Sequence, residues 1–158
     1  MEIKLEHVTK KIKGVPVLQD VTKTFTGGCI YGLSGKNGCG KTMLMRTMAG
    51  LIYPTSGVVK INGKILGKDI SFPPSMGLLI ENPAFLRGYT GLENLEILAK
   101  VQGGVPQDEI RATLEQVGLD PDDRRKYYKY SLGMRQRLGI AAAIMGKPDI
   151  ILLDEPIN

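Results

Sequence analysis

The stretch "GKNGCGKT", Gly35 to Thr42, constrains this chain more than any other feature, because it sets three glycines and two lysines between an apolar run and a helix-like segment. It fits the pattern G-x-x-x-x-G-K-[ST], which arises now and then by chance, so its surroundings carry the weight. Before it, "CIYGLS", Cys29 to Ser34, reads as a short apolar strand. After it, Lys41 to Gly50 has the spacing of a helix closed by glycine, with Leu44, Met45 and Met48 facing inward. A strand, a glycine turn and a helix aim successive backbone N–H groups and the positive helix end at one phosphate, and glycine lets the backbone come close. The candidate binding segment is Gly35, Lys36, Asn37, Gly38, Cys39, Gly40, Lys41 and Thr42, with Lys41 reaching β- and γ-phosphates and Thr42 ligating Mg²⁺. The bland alternative, a glycine-rich surface turn, does not account for the framing elements.

At 158 residues, 42% hydrophobic and 23% charged, the chain has the make-up of an ordinary globular domain able to bury its own core. No apolar run approaches the roughly 20 residues of a membrane span. "MEIKLEHVTKK" alternates apolar and charged residues, unlike a signal peptide, so a cytoplasmic location is expected. With two cysteines, Cys29 and Cys39, and one histidine, His7, neither a structural disulfide nor a zinc set is expected. The net charge of +5 suits a polyanionic ligand, an anionic membrane surface or nucleic acid equally.

The first half of the chain reads as antiparallel hairpins. Ile3, Leu5 and Val8 begin a strand-like alternation and "VPVLQDVTKTF" continues it up to Gly27 and Gly28. "SGVVKINGK" is a further hairpin arm with its turn at Asn62-Gly63, and "MGLLIE" is a buried strand. From residue 90 to 146 the pattern is helical. Thr90 and Glu93 fit a capping box ahead of the face formed by Leu92, Leu95, Leu98 and Ala99. Pro106 opens a second helix bearing Ile110, Leu114 and Val117, ended by Gly118, and "MRQRLGIAAAIMG" is a third. "DIILLDEP" is apolar enough for the middle of a parallel sheet.

Two further motifs carry chemistry. A carboxylate at the tip of a buried strand can hold a metal through water, a role that falls to Asp154 in "IILLDEP", while Glu155 is placed to polarise an attacking water. Without the phosphate loop, two solvated acids capping a strand would be the better reading. In "YSLGMRQRLGIAAA", Ser131 and Gly133 stand just before a helix, another anion-binding helix start. At this point the sequence resembles the ATP-binding cassette (ABC) family, whose LSGGQ signature this stretch is similar to, with Ser131 and Gly133 kept and Tyr130, Leu132 and Met134 departing. The phosphate loop, signature and acidic strand follow in that family's order, and the resemblance spans the whole chain.

The resemblance implies an α/β P-loop NTPase of the ABC ATPase type over residues 1–158, with an antiparallel β subdomain and a helical subdomain at about 84–130. It implies ATP and Mg²⁺ as cofactors, a second copy of the chain whose loop faces Ser131 and Gly133, and multi-span membrane permease subunits as partners. The subunit would lie peripherally on the inner face of the cell membrane. In "GLLIENPAFL" the family usually has a glutamine that couples the metal site to the membrane partner, and Glu81 stands in its place. A glutamate there, with "SLGMRQR", is similar to the branch serving bacterial exporters of bacitracin-like and lantibiotic peptides; a plain polar strand end is the alternative. The family's adenine-stacking aromatic would fall near Ile12, leaving adenine to lie against Ile12 and Val17 by dispersion. "RRKYYKY", Arg124 to Tyr130, interleaves basic and aromatic residues as a single-strand nucleic-acid grip does, although a solvated basic face is commoner and no specific nucleic acid is expected. Rival readings are a soluble cassette ATPase acting on nucleic acid or the ribosome, and a non-catalytic nucleotide-binding fragment. The family also leads one to expect, beyond "DEPIN", a strand inserted between the acidic strand and the one before the loop, and a histidine for the γ-phosphate. The domain is therefore expected to be incomplete at its C-terminus and poorly active alone.

Overall fold

The computed structural model describes residues 1–81, 83–101 and 103–156 and forms two compact units, Met1–Met76 and Gly77–Asn158.

In the first unit, β1 (Glu2–Ile12) and β2 (Val15–Thr26) make a long antiparallel hairpin, and β3 (Ser56–Ile61) and β4 (Lys64–Ile65) complete a sheet of order β2-β1-β3-β4. Both tight turns have two residues at positive φ, Lys13 at 48° with Gly14 at 82° and Asn62 at 48° with Gly63 at 78°. That is the backbone of the hairpin turn whose twist matches its strands. One face of the sheet buries Ile3, Leu5, Val8, Leu18, Val59 and Ile61. Helix α1 (Lys41–Met48) follows the glycine loop and buries Thr47 and Met48, while Leu44 and Met45 are only half-buried. Thr47, polar and fully buried, is satisfied by donating its hydroxyl to the Met43 carbonyl at 2.7 Å. On the sheet's exposed side, Glu6 bridges Lys4 and Lys60 at 2.8 and 2.7 Å.

Cys29–Ser34 corrects the sequence reading: it forms no strand. A strand exists only with a ladder partner, and among the described residues no strand pairs with this run. Ile30 is fully exposed. Tyr31 is held instead edge-on to Phe25, with ring centroids 5.0 Å apart, and its hydroxyl lies 3.0 Å from the Thr26 amide.

In the second unit, helices α2 (Gly91–Val101), α3 (Gln107–Gln116) and α4 (Leu132–Ile144), with a 3-10 turn at Tyr127–Lys129, enclose a core of Leu95, Ile110, Leu114, Tyr127, Tyr130 and Leu138. The apolar faces expected for α2 and α3 supply it, with Leu95, Ile110 and Leu114 no more than 2% exposed. At the edge of this unit β5 (Met76–Leu79) pairs with β6 (Ile150–Leu153). Gly139 is needed where α4 meets this edge, because a Cβ there would come within 2.8 Å of both Leu79 and Pro83.

Two more expectations are corrected here. The segment "DIILLDEP" belongs to a two-stranded sheet rather than a sheet interior, so Ile150 is buried and Ile151 is 45% exposed. Composition reports that a strand tolerates burial and says nothing of how many neighbours it has. Helix α4 begins at Leu132 with Ser131 as its N-cap, so Gly133 lies within the first turn instead of before the helix. The cap decides this: the Ser131 hydroxyl accepts the Met134 amide at 3.3 Å, which fixes the start three residues upstream of Met134.

Candidate functional site

The loop ahead of α1 is shaped by glycine at two positions. Gly38 and Gly40 have φ of 80° and 99°, a region closed to most side chains, and Gly40 is the N-cap residue of α1. Gly40 also presses against β2: a Cβ there would come within 2.6 Å of the Val17 carbonyl oxygen. The loop is thereby seated on the hairpin, and α1 starts with no side-chain cap and no acid in its first turn. The loop it follows is exposed from Gly35 to Cys39, and the helix start carries amides with no intrahelical partner and the positive end of the helix dipole.

Lys41 folds back over this loop, donating from Nζ to the carbonyl oxygens of Gly35 at 2.8 Å and Lys36 at 3.3 Å. Cys39 N–H donates to the Lys36 carbonyl at 3.2 Å, closing the turn that holds Lys36 and Asn37. A Cβ on Gly35 would meet Cys39 Sγ at 2.5 Å, so the exposed cysteine lies against that glycine. Backbone amides, a lysine ammonium and a helix with no acid in its first turn together make a cradle for a multiply charged phosphate. The basic excess of the chain lies in this unit, whereas residues 77–158 carry slightly more acids than bases.

In the second unit the structure gathers the acids expected at the strand tips. The Asp154 amide donates to the Leu79 carbonyl at 2.8 Å, so β5 and β6 end side by side. Glu81, Asp154 and Glu155 therefore come to one end of the two-stranded sheet. Asp154 is buried, 8% exposed, while Glu81 and Glu155 are exposed and adopt positive φ of 61° and 45°. Non-glycine residues in that conformation cost about 1–3 kcal/mol each and persist where the surroundings hold them. Magnesium takes oxygen ligands, keeping waters and sharing one or two carboxylates with phosphate oxygens. The Thr42 hydroxyl and the carboxylates of Asp154 and Glu81 are of that donor class. Among the described residues no group of three or more His, Cys, Asp and Glu makes a metal cage by itself. Thr42 and Asp154 stand on different units.

Ser131 and Gly133 lie together at the start of α4, and the residue before them has a function that the sequence did not disclose. Tyr130 is buried, and its hydroxyl accepts the Gly91 amide at 3.1 Å, tying the first residue of α2 to the residue ahead of the α4 cap. Burial raises the Tyr130 hydroxyl pKa, and the Gly91 amide opposes that rise. Asn94 was also missed. Its amide is buried and bonds the Leu86 backbone at both N–H and C=O, 2.8 and 3.2 Å, and the Thr90 carbonyl at 2.8 Å. The run "RRKYYKY" is largely spoken for: Tyr127 and Tyr130 are core residues, Arg125 pairs with Asp123 at 2.8 Å, and Lys126 pairs with Glu93 at 3.1 Å. Two of its three rings are thus unable to stack on a base, which a single-strand grip would need.

No helix among the described residues is long and apolar enough to cross a membrane. Residues 18–158 match the family model described as ABC transporter. The chain is 51% identical over 156 residues to an uncharacterised ABC transporter ATP-binding protein, YybJ of Bacillus subtilis, aligning 99% of this chain with 72% of that protein. It is 45% identical to the bacitracin transport ATP-binding protein BcrA of Enterococcus faecalis, where 99% of this chain covers 51% of the relative. An ABC transporter ATP-binding protein of Pyrococcus furiosus superposes with a TM-score of 0.87 at 26% identity, over 99% of this chain and 76% of that one. The chain thus spans about half the length of the bacitracin transport relative.

Proposed function

The chain belongs to the ABC transporter family of ATP-binding proteins, and from that premise we propose that it is the ATP-binding part of a bacterial exporter of antimicrobial peptides. Two copies would act head to tail on two multi-span permease subunits at the inner face of the membrane. The relatives reported above are transporter subunits, one of them named for bacitracin transport, which favours this reading over a soluble ATPase acting on nucleic acid or the ribosome.

In this reading the amides from Gly35 to Thr42 bind the phosphates, and Lys41 exchanges the Gly35 and Lys36 carbonyls for β- and γ-phosphate oxygens. That exchange converts neutral-acceptor hydrogen bonds into charge-assisted ones. Thr42 and Asp154 would hold Mg²⁺, which supplies charge neutralisation along the phosphates when bound. Glu155 orients and polarises the attacking water. Ser131 and the α4 start present their amides to the nucleotide of the partner copy, and Glu81 relays the state of the site to the permease. The antimicrobial-peptide cargo rests on the branch likeness carried by Glu81 and "SLGMRQR".

The observation that carries the proposal is the α1 start: a left-handed glycine cap, no side-chain cap and a lysine held over the loop. Losing one charge-assisted hydrogen bond costs about 1.5–3 kcal/mol, so Lys41→Ala is expected to weaken MgATP binding by about tenfold or more in calorimetry. Unchanged affinity would remove the cradle assignment.

A further inference from the structure

The positive charge of the first unit extends past the phosphate cradle. The acids of that unit are Glu2, Glu6, Asp20 and Asp69. Glu6 is bridged by Lys4 and Lys60, Asp20 pairs with His7 at 2.8 Å, and Asp69 accepts the Ile65 amide at 2.8 Å. Lys11 and Lys13, at the end of the β1–β2 hairpin, and Lys36, on the loop, are exposed, and among the described residues none of the three has a carboxylate partner. Lys11 is the cross-strand partner of Pro16, the neighbour of Val17, whose carbonyl abuts Gly40 of the cradle. A cross-strand pair spans about 5 Å and one strand residue about 3.4 Å. The ammonium of Lys11 therefore acts on the loop from within a Debye length, about 10 Å at moderate salt.

A nucleoside triphosphate does not use these charges. Its anionic groups end with three phosphates, which the loop amides and Lys41 are placed to meet, and cations a strand's width further on find no charge on it. A linear phosphate chain carries charge at every unit. Seated in the cradle by one stretch, a longer chain brings its next units to the hairpin lysines. Positive charge of this kind also suits a membrane surface or nucleic acid, and the structure separates the three. A single-strand grip needs rings to stack on, and residues 10–19 of the hairpin contain none. A lipid surface is read by clusters of about 4–8 cations, whereas Lys11 and Lys13 are a pair beside a loop shaped for phosphate.

Resting on the nucleotide reading above, we infer that Lys11 and Lys13 extend the phosphate cradle into a second anion subsite, and that this site binds linear inorganic polyphosphate longer than three units. The cradle holds one stretch of the chain, and the hairpin lysines neutralise the next. Each ammonium is a point charge on a flexible four-carbon stem, so the second subsite adds attraction without a demand on geometry. It distinguishes phosphate chains by their length. Polyphosphate and ATP exclude one another, because both need the loop.

The test is calorimetric titration of the 158-residue chain with tripolyphosphate and with a longer linear polyphosphate of defined length, in one magnesium buffer, repeated on the double variant Lys11→Gln, Lys13→Asn. Asparagine suits position 13, where φ is 48°. The longer chain should bind about three- to tenfold more tightly, the range for two exposed charge contacts, and should lose affinity more steeply as salt rises. The double variant should abolish that difference while its tripolyphosphate affinity and denaturation midpoint stay at the wild-type values. Excess MgATP should displace the longer chain. Equal affinity for the two chains, a double variant that keeps the difference, or a longer chain that MgATP fails to displace overturns the inference and leaves the cradle standing. Phosphatidylglycerol vesicles that bind the wild-type chain and not the double variant, with no preference for the longer phosphate chain, would give the lysines to a lipid surface and overturn it too. If MgATP and both phosphate chains fail to bind, the cradle itself is wrong, and the inference falls with it.

Discussion

Helices α1 and α2 begin in opposite ways, although each leaves the same orphan amides at its N-terminus. At α2 the chain's own side chains consume them. Thr90 N–H donates to Glu93 Oε2 at 2.6 Å, Glu93 N–H donates to Thr90 Oγ1 at 3.2 Å, and Gly91 N–H donates to the Tyr130 hydroxyl. At α1 the cap is a glycine with φ of 99°, which has no side chain to accept from the helix start. The first arrangement is closed and stabilises the fold; the second gives up that stabilisation and leaves the amides and the helix dipole to a ligand. A helix start is thus a choice between stability and binding, and the glycine at position 40 marks which choice was made.

The largest effect expected from disturbing this contrast is at Gly40. Gly40→Ala must carry a side chain at φ near 99° and set it 2.6 Å from the Val17 carbonyl. Backbone strain alone is worth about 1–3 kcal/mol, and the close approach adds to it, so both the denaturation midpoint and nucleotide affinity should fall. Gly38→Ala is the sharpening control, since its φ of 80° is equally strained but nothing lies within 4 Å of a Cβ there. Equal losses from the two substitutions would show that the contact with β2 contributes nothing.

At the closed start, Thr90→Ala should cost about 0.5–2 kcal/mol in urea denaturation, the range for losing a side-chain cap. Nucleotide affinity should not change. A loss of binding as large as that from Gly40→Ala would break the distinction between a structural and a functional helix start.

The smallest effect is one of pH. The Thr90 amide, and after it Lys126, hold the Glu93 carboxyl below its ordinary value. A group whose pKa is lowered by folding contributes stability above its unfolded value and loses it as pH falls through the lowered one. Acidification should therefore reduce the exchange protection of the Thr90 amide, and Glu93→Gln should flatten that dependence. Helix α1, with no acid in its first turn, should show no matching change at its start. An acid-insensitive Thr90 amide would mean that Glu93 does not hold it.

Much of this was legible in the sequence, for local reasons. The hairpin turn at Asn62-Gly63, the capping box of Thr90 and Glu93, and the glycine after α3 are each decided within a few residues. The phosphate loop belongs to the same class. What the sequence hid depends on partners far along the chain. "CIYGLS" has the composition of a strand, but a ladder partner cannot be read from composition, and Tyr31 settles against Phe25 instead. Gly133 reads as standing just before α4, with "MRQRLGIAAAIMG" as the helix, whereas the serine cap two residues earlier sets the boundary. Tyr130 counted only as a departure from a familiar signature, since its partner Gly91 lies 39 residues away. Position 130 shows why a mismatch to a motif is worth asking about: the side chain that breaks the pattern is the one that reaches across the unit.

That tyrosine also sets the mechanics of the α4 start. Its ring is locked in the core and its hydroxyl is bonded to the first residue of α2, with a Cβ on Gly91 leaving it no room at 2.6 Å. Ser131 consequently follows a residue that is anchored at both its ring and its hydroxyl. The start of α2 and the cap of α4, far apart in sequence, are thereby fastened through a single buried side chain.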